Sequence, residues 1–406
     1  CNLGFCYYRG LGVEEDNDMA VAWFTRAAEQ GHPRALYLLG ECVWFGYGLR
    51  ADHAAAVTYY QRAADLDYPP AICELGYLYE AGSGVEQDAE RAASLYRKAA
   101  DMGYSKAQCN LGFCYEAGIG VTMDKARAVE LYRLAADQGL ARAKCCLGFC
   151  YENGIGVAPD QKKAVSLYRE AAEQGFARAQ CCLADCYESG RGVRRNMARA
   201  VQLYQKAAEQ DYPRALCNLG FYYENGDGVA RDMTRAVALY RKAAEMGHAV
   251  AQCNLGFCLS IGSGVERDPA EAAVWFQRAA DQDFPRGLTQ LGILYQDGDG
   301  VEQDIAKAES LYRRAAEQNY GPAYYRLGLF YLNVAGSKDE KKALRSLRKG
   351  ARLGDRQAID LLASCYEKGV GVPKDKRAAK KIYALLKRGA PEPGPVIDAL
   401  APEELY

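Results

Sequence analysis

A Leu-Gly pair, an aromatic residue close behind it and a Gly-x-Gly-Val step recur along this chain of 406 residues at an interval of 36. The glycine of the pair falls at Gly4, Gly40, Gly76, Gly112, Gly148, Gly220, Gly256, Gly292 and Gly328, and Ala184 fills the one missing slot. An eleventh copy follows 35 residues after Gly328, with Ala363 in the glycine's place. A fixed period of this length is the signature of a stacked-repeat architecture. Each unit is too small to bury its apolar face alone and does so against its neighbours, so the length is not to be divided into ordinary globular domains.

One copy shows the unit. Ala107, Leu111 and Tyr115 lie at i, i+4 and i+8, a single helical face. Gly118 and Gly120 then stop the helix, because glycine accepts the left-handed backbone of a C-terminal cap. Asp124 stands where an N-cap opens a second helix. Its apolar stripe is Ala128, Leu131, Tyr132, Ala135 and Ala136, and Gly139 ends it. The unit is helix, short loop, helix, turn, and the fold class is all-α. Most of the 30 tyrosines are thereby core, each hydroxyl needing a local partner.

The stretch A-x-x-x-L-G-x-x-Y-x-x-G-x-G-V-x-x-D, followed by A-x-x-L-Y-x-x-A-A-x-x-G, closely resembles the Sel-one-like repeat family, relatives of tetratricopeptide repeats. The match runs over roughly residues 1 to 388. The resemblance implies an α/α solenoid, a right-handed superhelix of helix-turn-helix repeats, acting as an adaptor or scaffold for protein complexes without catalysis of its own. About eleven repeats are expected, the first truncated, followed by an extended Pro-rich tail over 389–406 that holds Pro391, Pro393, Pro395 and Pro402. Because Cys1 stands in register with Cys73 and Cys109, inside a first helix, the chain reads as a fragment of a longer protein; a lipid anchor on Cys1 is the sharper alternative.

Composition narrows the function. Hydrophobic residues at 50% and charged residues at 25% exclude wholesale disorder. No stretch approaches the roughly 18 unbroken apolar residues of a membrane span. Three histidines leave little material for histidine catalysis. The Gly-x-Gly steps, such as Gly82 to Gly84, follow helices and lack a preceding strand, so they close loops rather than cradle a nucleotide. No cofactor is expected.

The sixteen cysteines sit in first helices, nearly all in two slots, three before and two after the Leu-Gly glycine. Equivalent cysteines on neighbouring helices should stand about 8–10 Å apart, beyond the roughly 7 Å between Cα atoms that a disulfide spans. Free thiols in a reducing compartment are expected, which points to the cytoplasm. The denser cluster Cys145, Cys146, Cys150, Cys181, Cys182 and Cys186 lacks the C-x2-C pairs of structural zinc sites, so a thiolate metal centre is the lesser reading.

In solenoids of the tetratricopeptide type, residues three before and one and four after the first-helix glycine line the inner groove. Carried over by resemblance, these slots place Phe5, Tyr77, Phe113, Phe149, Phe221 and Phe257 on a central rung and Glu80, Glu116, Glu152, Glu188 and Glu224 on a later one. The phenylalanines could instead pack between repeats. Six residues before the glycine come Arg34, Lys106, Arg142, Arg178, Arg214 and Arg286, for which a salt bridge across the preceding turn, as from Asp101 or Asp137, is the simplest partner. The glutamates show no such local partner. An aromatic and acidic groove suits an extended peptide or helix with apolar and basic residues.

Charge is uneven. Residues 338–388 hold sixteen Lys and Arg against six Asp and Glu, in a chain of net charge -1. A solvated terminal cap is the plain reading; no aromatic platform accompanies it that would stack bases of a nucleic acid. The expectation is therefore a monomeric, non-catalytic scaffold for a protein or peptide partner. The alternative is a regulatory or targeting module of a larger enzyme or signalling protein.

Overall fold

Gly118 takes a left-handed backbone, φ 71°, where helix Ser105–Ala117 ends, and the Asp124 carboxylate accepts from the Arg127 amide at 2.9 Å where helix Lys125–Asp137 begins. This copy typifies the computed structural model, which describes residues 1–334, 336, 338–387 and 392–400. Those residues form 23 α-helices and no strand. A first helix, typically 13 residues as in Ala141–Asn153, precedes an antiparallel second helix such as Gln161–Glu173.

The Leu-Gly glycine is where the two helices of a unit meet. A Cβ on Gly112 would stand 2.8 Å from the Tyr132 ring, and one on Gly76 2.7 Å from the Tyr96 ring. Gly148 and Tyr168, Gly220 and Tyr240, and Gly292 and Tyr312 repeat the contact, with Phe276 serving Gly256. Tyr96, Tyr132, Tyr168 and Tyr240 are completely buried. The glycine thus leaves room for an aromatic ring to press against the first helix, which is why both residues recur together.

Successive units join through the loop. Gly120, φ +65°, presses so closely on the start of the preceding second helix that a Cβ there would lie 1.9 Å from the Ala89 carbonyl oxygen. A second link uses the turns after second helices. Asp67 and Asp283 take positive φ, 53° and 52°, where most repeats have glycine, and receive Lys98 at 2.6 Å and Arg314 at 2.5 Å from the next second helix. Lys242 binds Asp211 in the same manner.

The chain divides into two compact units, Cys1–Lys206 and Ala207–Tyr406. Within the first, first helix 141–153 touches first helix 177–189; within the second, first helices 249–261, 285–297, 321–333 and 356–368 touch in succession.

The copy lacking one residue is built differently. Helix Gly321–Asn333 ends on Val334 in extended backbone, φ -81°, and Gly328 meets Leu347 where other copies place an aromatic. Missing its glycine cap and ring, this unit should open first. Amide exchange is expected to be faster across 327–349 than across 112–136; slower exchange there would refute the ranking.

The Pro-rich segment is not wholly extended. Pro393–Asp398 forms a short helix whose Ile397 is buried in the last core cluster, and the Leu400 carbonyl accepts from the Tyr366 hydroxyl at 2.9 Å. Apolar Val396, Ile397 and Leu400 outweigh the prolines, and Pro393 itself suits a first helical turn. Residues 388–391 and 401–406, with Pro391 and Pro402, lie outside the described residues.

Candidate functional site

Because the glycine faces the second helix, the residue after it, about 100° further round, turns away from that helix. Tyr77 is 53% exposed, Phe113 43% and Phe221 49%, with Phe149 and Phe257 also exposed. Phe5 is half-buried, its ring 4.9 Å beneath the Arg34 guanidinium of the next repeat. Tyr77, Phe113 and Phe149 of the first unit and Phe221 and Phe257 of the second thus face solvent on their first helices, whereas Phe5 packs against the core of its unit.

The glutamates do have a partner within their own repeat, though not a near neighbour in sequence. The buried tyrosine that packs on the glycine emerges with its hydroxyl at the glutamate four residues further on. Tyr96 donates to Glu80 at 2.6 Å, Tyr132 to Glu116 at 2.7 Å, Tyr168 to Glu152 at 2.7 Å and Tyr240 to Glu224 at 2.6 Å. Glu152 also accepts Arg191 at 2.9 Å. In the copy where Ala184 replaces glycine, Tyr204 donates to Asp185 as well as to Glu188 at 3.3 Å. Burial, reinforced by the accepting carboxylate, raises the hydroxyls of Tyr96 and Tyr240 far above the ordinary tyrosine value. The glutamates therefore tie the first helix to the second within each unit.

The basic slot also departs from expectation. Arg34 lies over Phe5, and Arg286 donates to the Asn254 side chain at 2.8 Å. Both reach back to the preceding first helix instead of across the turn. Their direction follows from the side chain's tilt toward the helix N-terminus, which carries it past the turn to the neighbouring unit.

Cysteine contacts follow a register that equivalent positions conceal. The slot three before the glycine faces the slot two before it in the next repeat. There, Asn110 donates to the Cys73 sulfur at 3.7 Å and Asn254 to Cys217 at 3.8 Å. Where cysteine replaces asparagine, the Cys109 thiol faces Cys146 as a hydrogen-bond donor and the Cys145 thiol faces Cys182 in the same way. All sixteen cysteines are free. Among the described residues, no group of three or more His, Cys, Asp or Glu is placed to hold a metal ion. Burial pushes Cys73, Cys217 and Cys253 up to about 12. Cys146 goes down, because the Cys109 thiol donates to it and the Arg178 and Arg142 guanidiniums face it. Since the thiolate is the nucleophile, native alkylation at neutral pH should label Cys146 well before Cys73 or Cys217, a ranking readable by peptide mass spectrometry. Equal labelling would contradict this register.

The three slots converge most clearly in the second unit. Cys217, Asn218, Phe221 and Glu224 of one first helix line a groove of about 330 Å³ with Val250, Asn254 and Phe257 of the next and Arg286 of a third. The asparagines and Arg286 were not foreseen as lining; the recurrence of Cys-Asn-Leu-Gly at 109–112, 217–220 and 253–256 was the available signal. No helix among the described residues is long and apolar enough to cross a membrane.

The Sel1 repeat model matches eleven segments, 1–32, 33–68, 69–104, 105–140, 141–176, 177–212, 213–248, 249–284, 285–320, 321–355 and 357–386. Among solved structures, c5321, a protective antigen present in uropathogenic Escherichia coli strains and displaying an SLR fold, is 32% identical with a TM-score of 0.67, covering 100% of this chain and 88% of its own. A Sel1 repeat protein from Oxalobacter formigenes is 29% identical with a TM-score of 0.52, over 79% of this chain and 91% of its own. Comparison with curated proteins gives no significant match.

Proposed function

This chain belongs to the Sel1 repeat family, whose repeats generally bind proteins, and from that premise we propose that it is a non-catalytic scaffold or adaptor. It holds an extended peptide or helix of a protein partner along the concave row of first helices. The observation that carries this reading is the exposed aromatic row, joined at Phe221, Glu224 and Phe257 by a groove with Arg286 in its wall. Exposed rings flanked by carboxylates offer apolar anchoring and select basic residues.

Selection from a random peptide library on the immobilised chain tests it. Selected peptides should combine apolar and basic residues. Phe221→Ala and Phe257→Ala should each weaken them about 30-fold, and the double variant about 700-fold, since anchor residues often carry about 2 kcal/mol each. Glu224→Gln keeps an acceptor for Tyr240 and removes only the charge. It should slow association and flatten its salt dependence. A folded double variant that binds the same peptides unchanged would remove this groove as the site.

The proposal also places the protein, as a monomer, in the cytoplasm, on the strength of cysteines confined to one helix of every pair. Thiol titration of anaerobically purified, denatured chain should count all sixteen. Stoichiometric disulfides would overturn the location.

A further inference from the structure

In the second unit, a cleft of about 580 Å³ opens between helices Ile305–Glu317 and Glu340–Arg352, floored by Tyr324, Leu327 and Tyr331 of helix Gly321–Asn333. Its size is that of a small-molecule site. Two departures from the repeat create it.

The first is a missing plug. The residue just before the one that packs on the first-helix glycine is large in the other full copies: Leu131, Trp275 and Leu311 hold that place and are buried. Gly328 packs on Leu347, so the same place falls to Ser346, whose hydroxyl is turned to the Lys342 carbonyl at 2.9 Å. The second departure is an added cation. Arg345 stands where other copies carry Glu130, Ser166, Ala238 or Ser310.

Arg313, Lys342, Arg345 and Lys349 therefore line one cleft with the carboxylate of Glu317, while Glu309 stands behind Arg313 and Tyr331 and Asp339 beside Lys342. Arg313 is held by Glu309 at 2.6 Å and by the Tyr331 hydroxyl at 3.0 Å, which fixes its direction. Lys342 and Lys349 lie 5.6 Å and 5.8 Å from the centres of the Tyr331 and Tyr324 rings. Lys342 has only a loose pairing with Asp339, at 3.6 Å. Like charges gathered around an open concavity repel one another, and a multivalent anion relieves that repulsion. Guanidinium and ammonium groups on facing walls suit tetrahedral phosphate oxygens, which accept from several directions at once.

We propose that this cleft is a binding site for a compact oligophosphate, a chain of two or more linked phosphate groups either free or carried by a nucleoside. It lies beside the second helices, apart from the aromatic row of the first helices.

Calorimetric titration of the full chain with inorganic tripolyphosphate tests the site, with citrate as a tricarboxylate control and a nucleoside triphosphate as the organic source. Tripolyphosphate and the nucleoside triphosphate should each bind once per chain, weaken with added salt, and compete for the same place. Arg345→Ser should weaken both at least tenfold. Ser346→Leu restores the plug; it should abolish binding while leaving the melting temperature unchanged or higher, which separates closure of the cleft from loss of fold. Lys380→Ser with Lys381→Ser, a charge loss on another basic helix, should bind as the parent does. The proposal falls if the parent binds neither phosphate, if citrate binds equally, or if both cleft variants stay within twofold of the parent.

Discussion

Alanine in place of Gly120 is expected to cost about 3 kcal/mol or more, because two penalties coincide. The first is the left-handed backbone, φ +65°, worth roughly 1–2 kcal/mol for a residue with a Cβ. The second is contact: that Cβ would sit 1.9 Å from the Ala89 oxygen, and a backbone carbonyl at a helix start cannot swing aside. Gly103 provides the control. It has φ +83° with no atom within 4 Å of its would-be Cβ, so Gly103→Ala should carry the backbone cost alone. The denaturant midpoints of the two variants decide the matter. A Gly120 variant no worse than the Gly103 variant would mean that the loop does not join one repeat to the next. Exchange in helices 89–101 and 125–137, which flank the junction, should rise together.

Alkali should unfold the chain more sharply than acid chemistry on exposed carboxylates would. Tyr60, Tyr96, Tyr132, Tyr168, Tyr240 and Tyr312 are all raised above the ordinary value, burial being the first cause in each. The folded state keeps these protons while the unfolded state releases them near pH 10. Their contribution is therefore whole below pH 10 and shrinks as pH rises. Each such tyrosine removes about 1.4 kcal/mol per pH unit, so six together remove about 8 kcal/mol per unit. Buried thiols at about 12, as in Cys73 and Cys217, add to the loss from roughly pH 8.5 upward. Helical circular dichroism and the absorbance change of these six buried tyrosines should move in one transition shortly above pH 10. If these six buried tyrosines titrate near pH 10 while the helices persist, burial does not seal their hydroxyls.

The repeat unit was legible because its signals are local. Gly118 and Asp124 mark helix ends through backbone geometry that depends only on near neighbours. Helical periodicity also made it legible that the residue after the glycine leaves the face that packs on the second helix. The glutamate ladder was misread for want of range: Glu116 meets Tyr132 sixteen residues away, across the fold-back of two helices. Arg286 likewise finds Asn254 32 residues earlier, well outside the turn in which a partner was sought. The cleft at Ser346 left a trace in the sequence, a small residue where the pattern asks for leucine, but its meaning required the neighbouring helix.

The sequence by itself therefore determined the all-α repeat, its period and the slot of every side chain, since spacing along a helix dictates the face on which a residue lies. Only the tertiary structure decided which slots touch. The offset between stacked repeats sets Cys109 against Cys146 rather than against its equivalent Cys145, and sets Asn254 against Cys217. That offset arises from the close approach of glycine to ring within a unit and of loop glycine to helix start between units. It is a property of packed surfaces, to which no single helix holds the answer.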